Sequence, residues 1–309
     1  MLLISRSQVR ELLDWDSVLQ ATSRGLRAEA ADNALVATEV RYSRGALHLK
    51  SAAFGEGGVL TVKANLRPDA GNVSGLLLIY DLGKEDLAAA VDSGLFTALR
   101  TAAIATVAAR ALCRRPGVRM ALLGFGKVGQ LTLERVCETM EISEARVWTR
   151  RGPAATTAPS TTSSGTPVRM MSTAAEAVAD ADIVITCTPA RQPLLEAKDL
   201  KDSAVVIAMG ADSHGKRELG EGVLDGAFLV GDVPSECLKV GEFAYLGRPA
   251  DVAIHSVGRI LDGEQPISAE GSRVVFDSVG SSLVDAAVAS ILLDTAVAKG
   301  VGTPFDLQR

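Results

Sequence analysis

Three glycines spaced as Gly124-Phe-Gly126-Lys-Val-Gly129 are the residues whose type and spacing point most directly to chemistry in this 309-residue chain. An apolar run, Met120–Leu123, leads into them, and Leu131, Leu133 and Val136 follow at helical spacing. In a strand–turn–helix of this kind the first glycine allows the tight turn, and the second lets the backbone approach a pyrophosphate. The third lets helix pack on strand. The helix N-terminus then offers unpaired N–H groups and a positive dipole end to the phosphates. A lone GxGxxG is a weak signal. Here a second apolar segment, Ala145–Thr149, follows at the distance of a βαβ unit, and the two together predict dinucleotide binding.

The end of that second strand bears on the coenzyme. A site selecting NAD places Asp or Glu there for the ribose hydroxyls. This chain has Thr149, Arg150 and Arg151, so no carboxylate repels a 2′-phosphate and two guanidiniums could hold one. The expectation is NADP(H) preferred, with NAD(H) possible; the other reading is two arginines in a solvated loop. Asp212 follows the apolar run at 204–210, at the carboxyl end of a strand, where doubly wound sheets bind ligands. A carboxylate there could take a proton from a substrate amine, or it could be a turn residue before Ser213 and Gly215. His214 reads as a loop residue. The stretch from Gly210 to Arg217 nearly fits the phosphate loop GxxxxGK[ST], but Arg217 stands where a magnesium-binding hydroxyl is needed, which argues against a kinase or ATPase.

Elements must position these groups. Residues 6–32 have helical spacing, and short apolar runs between glycines and prolines over 37–82 predict antiparallel strands. An alanine-rich helix spans 95–113; Arg100, in its apolar body, requires a partner. From residue 118 strands at 119–123, 145–149, 183–187, 204–209 and 228–230 alternate with helices, which predicts a doubly wound parallel sheet. Residues 152–167, rich in Ser, Thr and Pro, read as a mobile surface loop with at most a short helix. A last helix at 278–298 is expected to return to the first domain. The fold class is therefore α/β: a Rossmann-type doubly wound parallel sheet plus an α+β substrate and dimerisation domain with antiparallel strands. The expected boundaries are 1–113 joined by 278–309 for the substrate domain, and 114–277 for the NAD(P)-binding domain.

Bulk composition narrows the class. Hydrophobic residues make up 47% and aromatics only 4%, so the cores are aliphatic. A net charge of −5 without a basic cluster argues against a nucleic-acid surface. The first residues do not read as a signal peptide, and no apolar run is expected to span a bilayer. Cys113, Cys137, Cys187 and Cys237 are scattered, as are the three histidines, so neither a metal site nor a disulfide framework is expected, and the location predicted is cytoplasmic.

Taken in order, Arg41, residues 48–54 (HLKSAAF), Lys63, residues 100–103 (RTAA), 122–126 (LLGFG), 147–150 (VWTR), 210–219 (GADSHGKREL), 240–242 (VGE) and 275–280 (VFDSVG) resemble the ornithine cyclodeaminase/mu-crystallin family across almost the whole chain. That family includes ornithine and lysine cyclodeaminases, alanine dehydrogenases and reductases of cyclic imines, all using a nicotinamide cofactor on an amino or imino acid. The resemblance implies a homodimer built through the first domain and a small-molecule amino or imino acid substrate. It places Arg41, Lys63 and Arg100 around the substrate carboxylate and gives Asp212 and Lys63 catalytic roles. The expected cofactor residues are Thr101, Gly124, Gly126, Lys127, Val128, Gly129, Thr149, Arg150, Arg151, Thr188 and Met209. It implies either a cyclodeaminase or an imine reductase, with an alanine-type dehydrogenase or a non-catalytic NADPH-binding crystallin as alternatives. The chain departs from the family pattern at Val128, where many members have glutamine. It departs again at Leu49-Lys50-Ser51, in place of Met-Pro-Ala, and in its shortened 152–167 segment.

Overall fold

A computed structural model describes residues 1–30, 35–68, 73–247, 252–264 and 271–307. In chain order the elements are β1 (Leu2–Ile4), α1 (Arg6–Leu12), α2 (Trp15–Ala30), β2 (Leu35–Tyr42), β3 (Gly45–Phe54), β4 (Val59–Pro68), β5 (Ser74–Asp81), β6 (Asp86–Asp92) and α3 (Ser93–Leu112). There follow β7 (Val118–Leu123), α4 (Lys127–Thr139), β8 (Ile142–Trp148), β9 (Val168–Met170), α5 (Ala174–Val178), β10 (Ile183–Thr186), β11 (Val205–Ala208), β12 (Phe228–Gly231) and α6 (Pro234–Val240). The chain ends with β13 (Ile254–Ser256), α7 (Val257–Leu261), β14 (Val274–Asp277), α8 (Ser282–Lys299) and β15 (Thr303–Pro304). These elements form two compact units, Met1–Arg100 with Ser281–Arg309, and Thr101–Gly280.

The first unit holds a mixed seven-stranded sheet in the order β15-β1-β6-β5-β4-β3-β2, whose β2–β6 part is an antiparallel meander. The helical stretch predicted from residue 6 divides in two, because the Asp14 carboxylate accepts the Ser17 N–H at 2.9 Å and starts a new helix. Its last two residues, 31 and 32, lie outside the described residues. Helices α2 and α8 pack closely at Gly25, where a Cβ would lie 2.6 Å from the Val284 Cα. Ser281 caps α8, accepting the N–H groups of Leu283 and Val284, and the helix stops at Gly300 in the left-handed conformation. Its first two turns are buried all round, Asp285 included. One face of the sheet packs on α8. The opposite face presents Val40 (54% exposed), Leu76 (53%), Leu66 and Tyr42 (both 41%).

The second unit is an eight-stranded, all-parallel sheet in the order β13-β12-β14-β11-β10-β7-β8-β9. From β7 the chain winds outward through β8 and β9, then crosses back to β10 on the other side of β7. The topological switch point therefore lies between β7 and β10. Strand β14, a fully buried four-residue run between β11 and β12, was not among the predicted strands.

Two expectations are corrected. Residues 152–167 form a loop with one short helical turn at Pro153–Ala155, as expected, but the loop is partly tucked in: Thr162 and Thr166 are buried, Thr162 N–H donates to the Thr166 carbonyl at 2.9 Å, and Ser163 and Ser164 bond to Glu134 and the Cys137 carbonyl on α4. Hydroxyl-rich composition supplies these local bonds as readily as it supplies solvation. Helix α3, contrary to the expectation of no such run, is long and apolar enough to cross a membrane. Most of it (72%) is buried, however, and its buried Arg100 is ion-paired to Asp285 of α8, which is the situation of a core helix.

Candidate active site

The glycine turn joins β7 to α4, and its three glycines meet different constraints. Gly124 has φ +104°, and a Cβ on it would strike the Cys187 carbonyl at 2.7 Å. A Cβ on Gly129 would lie 2.1 Å from the Gly124 carbonyl oxygen, so the helix could not close on the strand. A Cβ on Gly126 would meet nothing within 4 Å. That open backbone position caps α4 without any side-chain hydrogen bond, leaving the first N–H groups of the helix for a ligand. A cleft of about 550 Å³ opens here at the carboxyl ends of β7, β8 and β10, lined by Gly124, Gly126, Gln130, Thr149, Arg150, Arg151 and Thr188 among others. These residues fit a dinucleotide: a bare glycine-lined approach, a helix N-terminus, and two exposed arginines past β8 with no carboxylate beside them.

Of the other predicted cofactor residues, Lys127 and Val128 open α4, exposed and half-buried respectively, and Gly129 is buried under the turn. Thr149 is buried with its hydroxyl 3.0 Å from that of Thr156. Thr101 is half-buried in α3, and Met209 is buried just past β11; neither lines the cleft. Gln130, two residues beyond the Val128 departure, does line it, and its amide donates to the Phe125 carbonyl.

The loop bearing Asp212 is anchored by buried carboxylates that sequence reasoning registered only as motif letters. Glu218 accepts hydrogen bonds from the Thr186 hydroxyl, the Thr188 N–H and hydroxyl, and the Gly210 N–H, all at 2.6–2.8 Å. It thereby ties the ends of β10 and β11 together. Glu242 accepts from the N–H groups of Glu218 and Leu219. Burial, with the Glu218 charge adding to it, pushes Glu242 up to about 8. Burial and the Glu242 charge likewise push Asp277 well above the usual carboxyl range. Asp232 accepts from Val233, Ser278, Val279 and Gly280, holding the turn after β14. On this base Asp212 is half-buried with Lys216 Nζ at 2.7 Å from its Oδ1, and His214 is exposed. Arg217, which spoils the phosphate-loop pattern, stacks over Tyr245 at 4.6 Å. Among the described residues no group of histidines, cysteines and carboxylates could hold a metal ion.

In the first unit two of the three predicted carboxylate-binding cations come together. Lys63, on the α8-facing side of β4, donates from Nζ to Asp285 Oδ2. Arg100 Nε lies 2.9 Å from Asp285 Oδ1. All three side chains are buried, at 1–4% exposed. The second contact is an ion pair without hydrogen-bond alignment, so Arg100 Nε and Asp285 Oδ1 remain buried without an aligned partner. Beside them Asn65 bonds to Thr97 and Ser93, extending a polar seam between β4 and α3. Burial and the Arg100 charge pull Lys63 well below the usual lysine range, with Asp285 acting against them. Burial would raise Asp285, but Lys63 and Arg100 outweigh it and hold that carboxyl below its usual range. Arg41 is not part of the cluster. Lys63 pairs with Lys50 across β3–β4, and Lys50 pairs with position 37 of β2. Arg41 is four residues further along, roughly 13 Å, where it contacts Glu39 at 3.0 Å.

The sequence model of the ornithine cyclodeaminase/mu-crystallin family matches residues 2–300. The chain belongs to this family. It is 31% identical to the ketimine reductase mu-crystallin of Mus musculus over 208 residues, 67% of this chain and 64% of that protein. It is 26% identical to the alanine dehydrogenase of Archaeoglobus fulgidus over 319 residues, 100% of this chain and 99% of that protein. Its fold superposes on that of Thermococcus litoralis Δ1-pyrroline-2-carboxylate reductase, solved with NADH and L-proline, with a TM-score of 0.86 at 20% identity, covering 99% of this chain and 100% of the other.

Proposed function

We propose that the protein is an NAD(P)H-dependent enzyme acting on an α-amino acid or its cyclic imine, with net imine reduction as the leading reaction. One observation carries this reading. Lys63 and Arg100 are both buried and share a single carboxylate, Asp285, so with Lys63 protonated the three together carry one positive charge in the core. Burying uncompensated charge is costly. A substrate carboxylate supplies the missing negative charge and accepts charge-assisted hydrogen bonds that fix the orientation of its Cα. Arg41, paired with Glu39 further along β2, is not assigned this role. Asp212, half-buried with the Lys216 ammonium against it at the carboxyl end of β11, is the carboxylate of the second unit to which we assign proton transfer.

The residues that would hold the dinucleotide are Gly124, Gly126, Gly129 and the α4 N-terminus at its pyrophosphate, with Arg150 and Arg151 at a 2′-phosphate; the last pair supports NADPH over NADH. A nicotinamide bound there supplies the hydride that reduces the substrate Cα. Related proteins are named for reductase, dehydrogenase and cyclodeaminase reactions, and Asp212 would also serve a cyclodeaminase. The open sheet face with Val40, Tyr42, Leu66 and Leu76 supports a homodimer formed through the first unit. Four free cysteines, three of them buried, support a reducing, cytoplasmic setting.

The test is absorbance at 340 nm with NADPH or NADH and pyrroline-2-carboxylate, piperideine-2-carboxylate, or pyruvate with ammonia. In parallel, ornithine and lysine with NAD are assayed for ammonia release. Net oxidation of the coenzyme by an imine supports the reductase. Ammonia with proline or pipecolate and no net absorbance change would replace it with a cyclodeaminase.

A further inference from the structure

The role of Asp285 can be taken further, building on the carboxylate receptor proposed above. It is the single carboxylate between two buried cations, it comes from the first turn of α8, and its two oxygens divide between Lys63 and Arg100. The charged or titratable groups around it are few. On β4 there is Lys63. On β3, on the same face of the sheet, are Lys50, directly across from Lys63, and His48, which faces Glu39 of β2 at 3.6 Å. On α3 there is Arg100. On α2 there is Glu29, which accepts a hydrogen bond from the Ser281 hydroxyl at the cap of α8. Of these, Arg100 and Lys50 both act to strip the proton from Lys63, as does burial, and Asp285 is the group that opposes them. Two buried cations side by side without a shared anion would lose one proton, and the lysine is the one that gives it up, since a guanidinium keeps its own.

We infer that Asp285 is a positioning residue of the carboxylate receptor: it holds Lys63 and Arg100 side by side through its two oxygens and opposes the discharge of Lys63. Below the pH at which Lys63 discharges, a substrate carboxylate then docks on two preformed cations, with no proton taken up to recharge the lysine. The unaligned Arg100 Nε fits this role, since a site waiting for a second anion has donor capacity in reserve.

The experiment is calorimetric titration of the full-length protein with pyrrole-2-carboxylate, an unreactive aromatic carboxylate, at half-unit steps from pH 6 to 10. NADPH affinity serves as the control for folding. In the wild type, affinity falls about tenfold per pH unit above the pH at which Lys63 discharges. In Asp285→Asn that break moves down by at least about one pH unit, the size expected from losing an opposite charge in contact. Asp285→Ser, which leaves room for water, shifts it in the same direction should the amide fail to fold. Asp285→Glu returns the break to within about half a unit of wild type, and Lys63→Met abolishes it. A break in Asp285→Asn or Asp285→Ser that coincides with wild type, in protein that binds NADPH normally, overturns the inference and leaves the carboxylate receptor standing. Absence of binding in the wild type, or a Lys63→Met profile equal to wild type, overturns the receptor and the inference together.

Discussion

Alanine at two of the three turn glycines separates stability from coenzyme binding, because the structure gives them opposite surroundings. At Gly129 the new methyl would sit 2.1 Å from the Gly124 carbonyl oxygen, far inside van der Waals contact. The obstructing atom is backbone, so no side chain can rotate away, and either α4 or the turn must move. Overpacking of this kind costs about 1–3 kcal/mol, and a backbone clash belongs at the upper end. At about 2–4 °C per kcal/mol for a unit of this size, Gly129→Ala should lower the melting temperature by about 6–12 °C. At Gly126 the backbone has φ −77°, which any residue adopts, and the methyl would meet no atom within 4 Å. The change costs within about 1 kcal/mol as a helix cap, yet places a methyl where the pyrophosphate must approach. NADPH affinity should fall at least about tenfold, or about 1.4 kcal/mol. Differential scanning fluorimetry and a fluorescence titration with NADPH read both variants. A Gly126→Ala protein that binds NADPH as wild type does, or a Gly129→Ala protein that melts with wild type, refutes the assignment of the turn.

Three further predictions follow from the same structure. Glu242 titrates at about 8 in the folded chain against an ordinary 4.5. Between those values the unfolded chain has lost the proton that the folded chain keeps, so stability present below pH 4.5 declines as the pH rises towards 8. Glu242→Gln should flatten urea-unfolding free energies over that range by about one proton, or about 1.4 kcal/mol per pH unit; an unchanged slope contradicts the buried, protonated carboxyl. Replacing both Arg150 and Arg151 by alanine should weaken NADPH at least about tenfold through loss of charge-assisted contacts while sparing NADH; equal loss of both coenzymes argues against a 2′-phosphate contact. Leu76→Glu, on the open sheet face, should shift the protein from dimer to monomer in sedimentation or light scattering. A monomeric wild type, or an unaffected dimer, removes that face as the interface.

The parts legible in the sequence are those with local constraints. The glycine turn could be read because Gly124 answers to the strand end beside it and Gly129 to a carbonyl five residues back, and because strands and helices alternate after residue 118. Arg100 announced the need for a partner by being charged in an apolar helix. The partner itself was not legible: Asp285 lies 222 residues from Lys63 in sequence and looks like an ordinary polar position in the first turn of a helix. The same holds for Glu218, Glu242, Asp277 and Asp232. Their burial depends on how strand ends distant in the chain converge, which their flanking residues do not state. Arg41 shows the converse limit. Its order in the chain matches the family pattern, but the two-residue turn between β2 and β3 fixes a register that sets it four positions away from the Lys50–Lys63 pair. The loop at 152–167 was legible as a loop with at most a short helix, but not its bonds to α4: composition alone does not say whether hydroxyls bond to water or to the neighbouring backbone.

The central claim is that Lys63 and Arg100 receive the substrate while the glycine-lined cleft receives the coenzyme. The most direct test is Arg100→Ala, with NADPH affinity and imine-dependent NADPH oxidation measured on the same preparation. The account predicts that turnover is lost and that NADPH binds within about twofold of wild type. Equal losses of binding and turnover, or no loss of either, would contradict it.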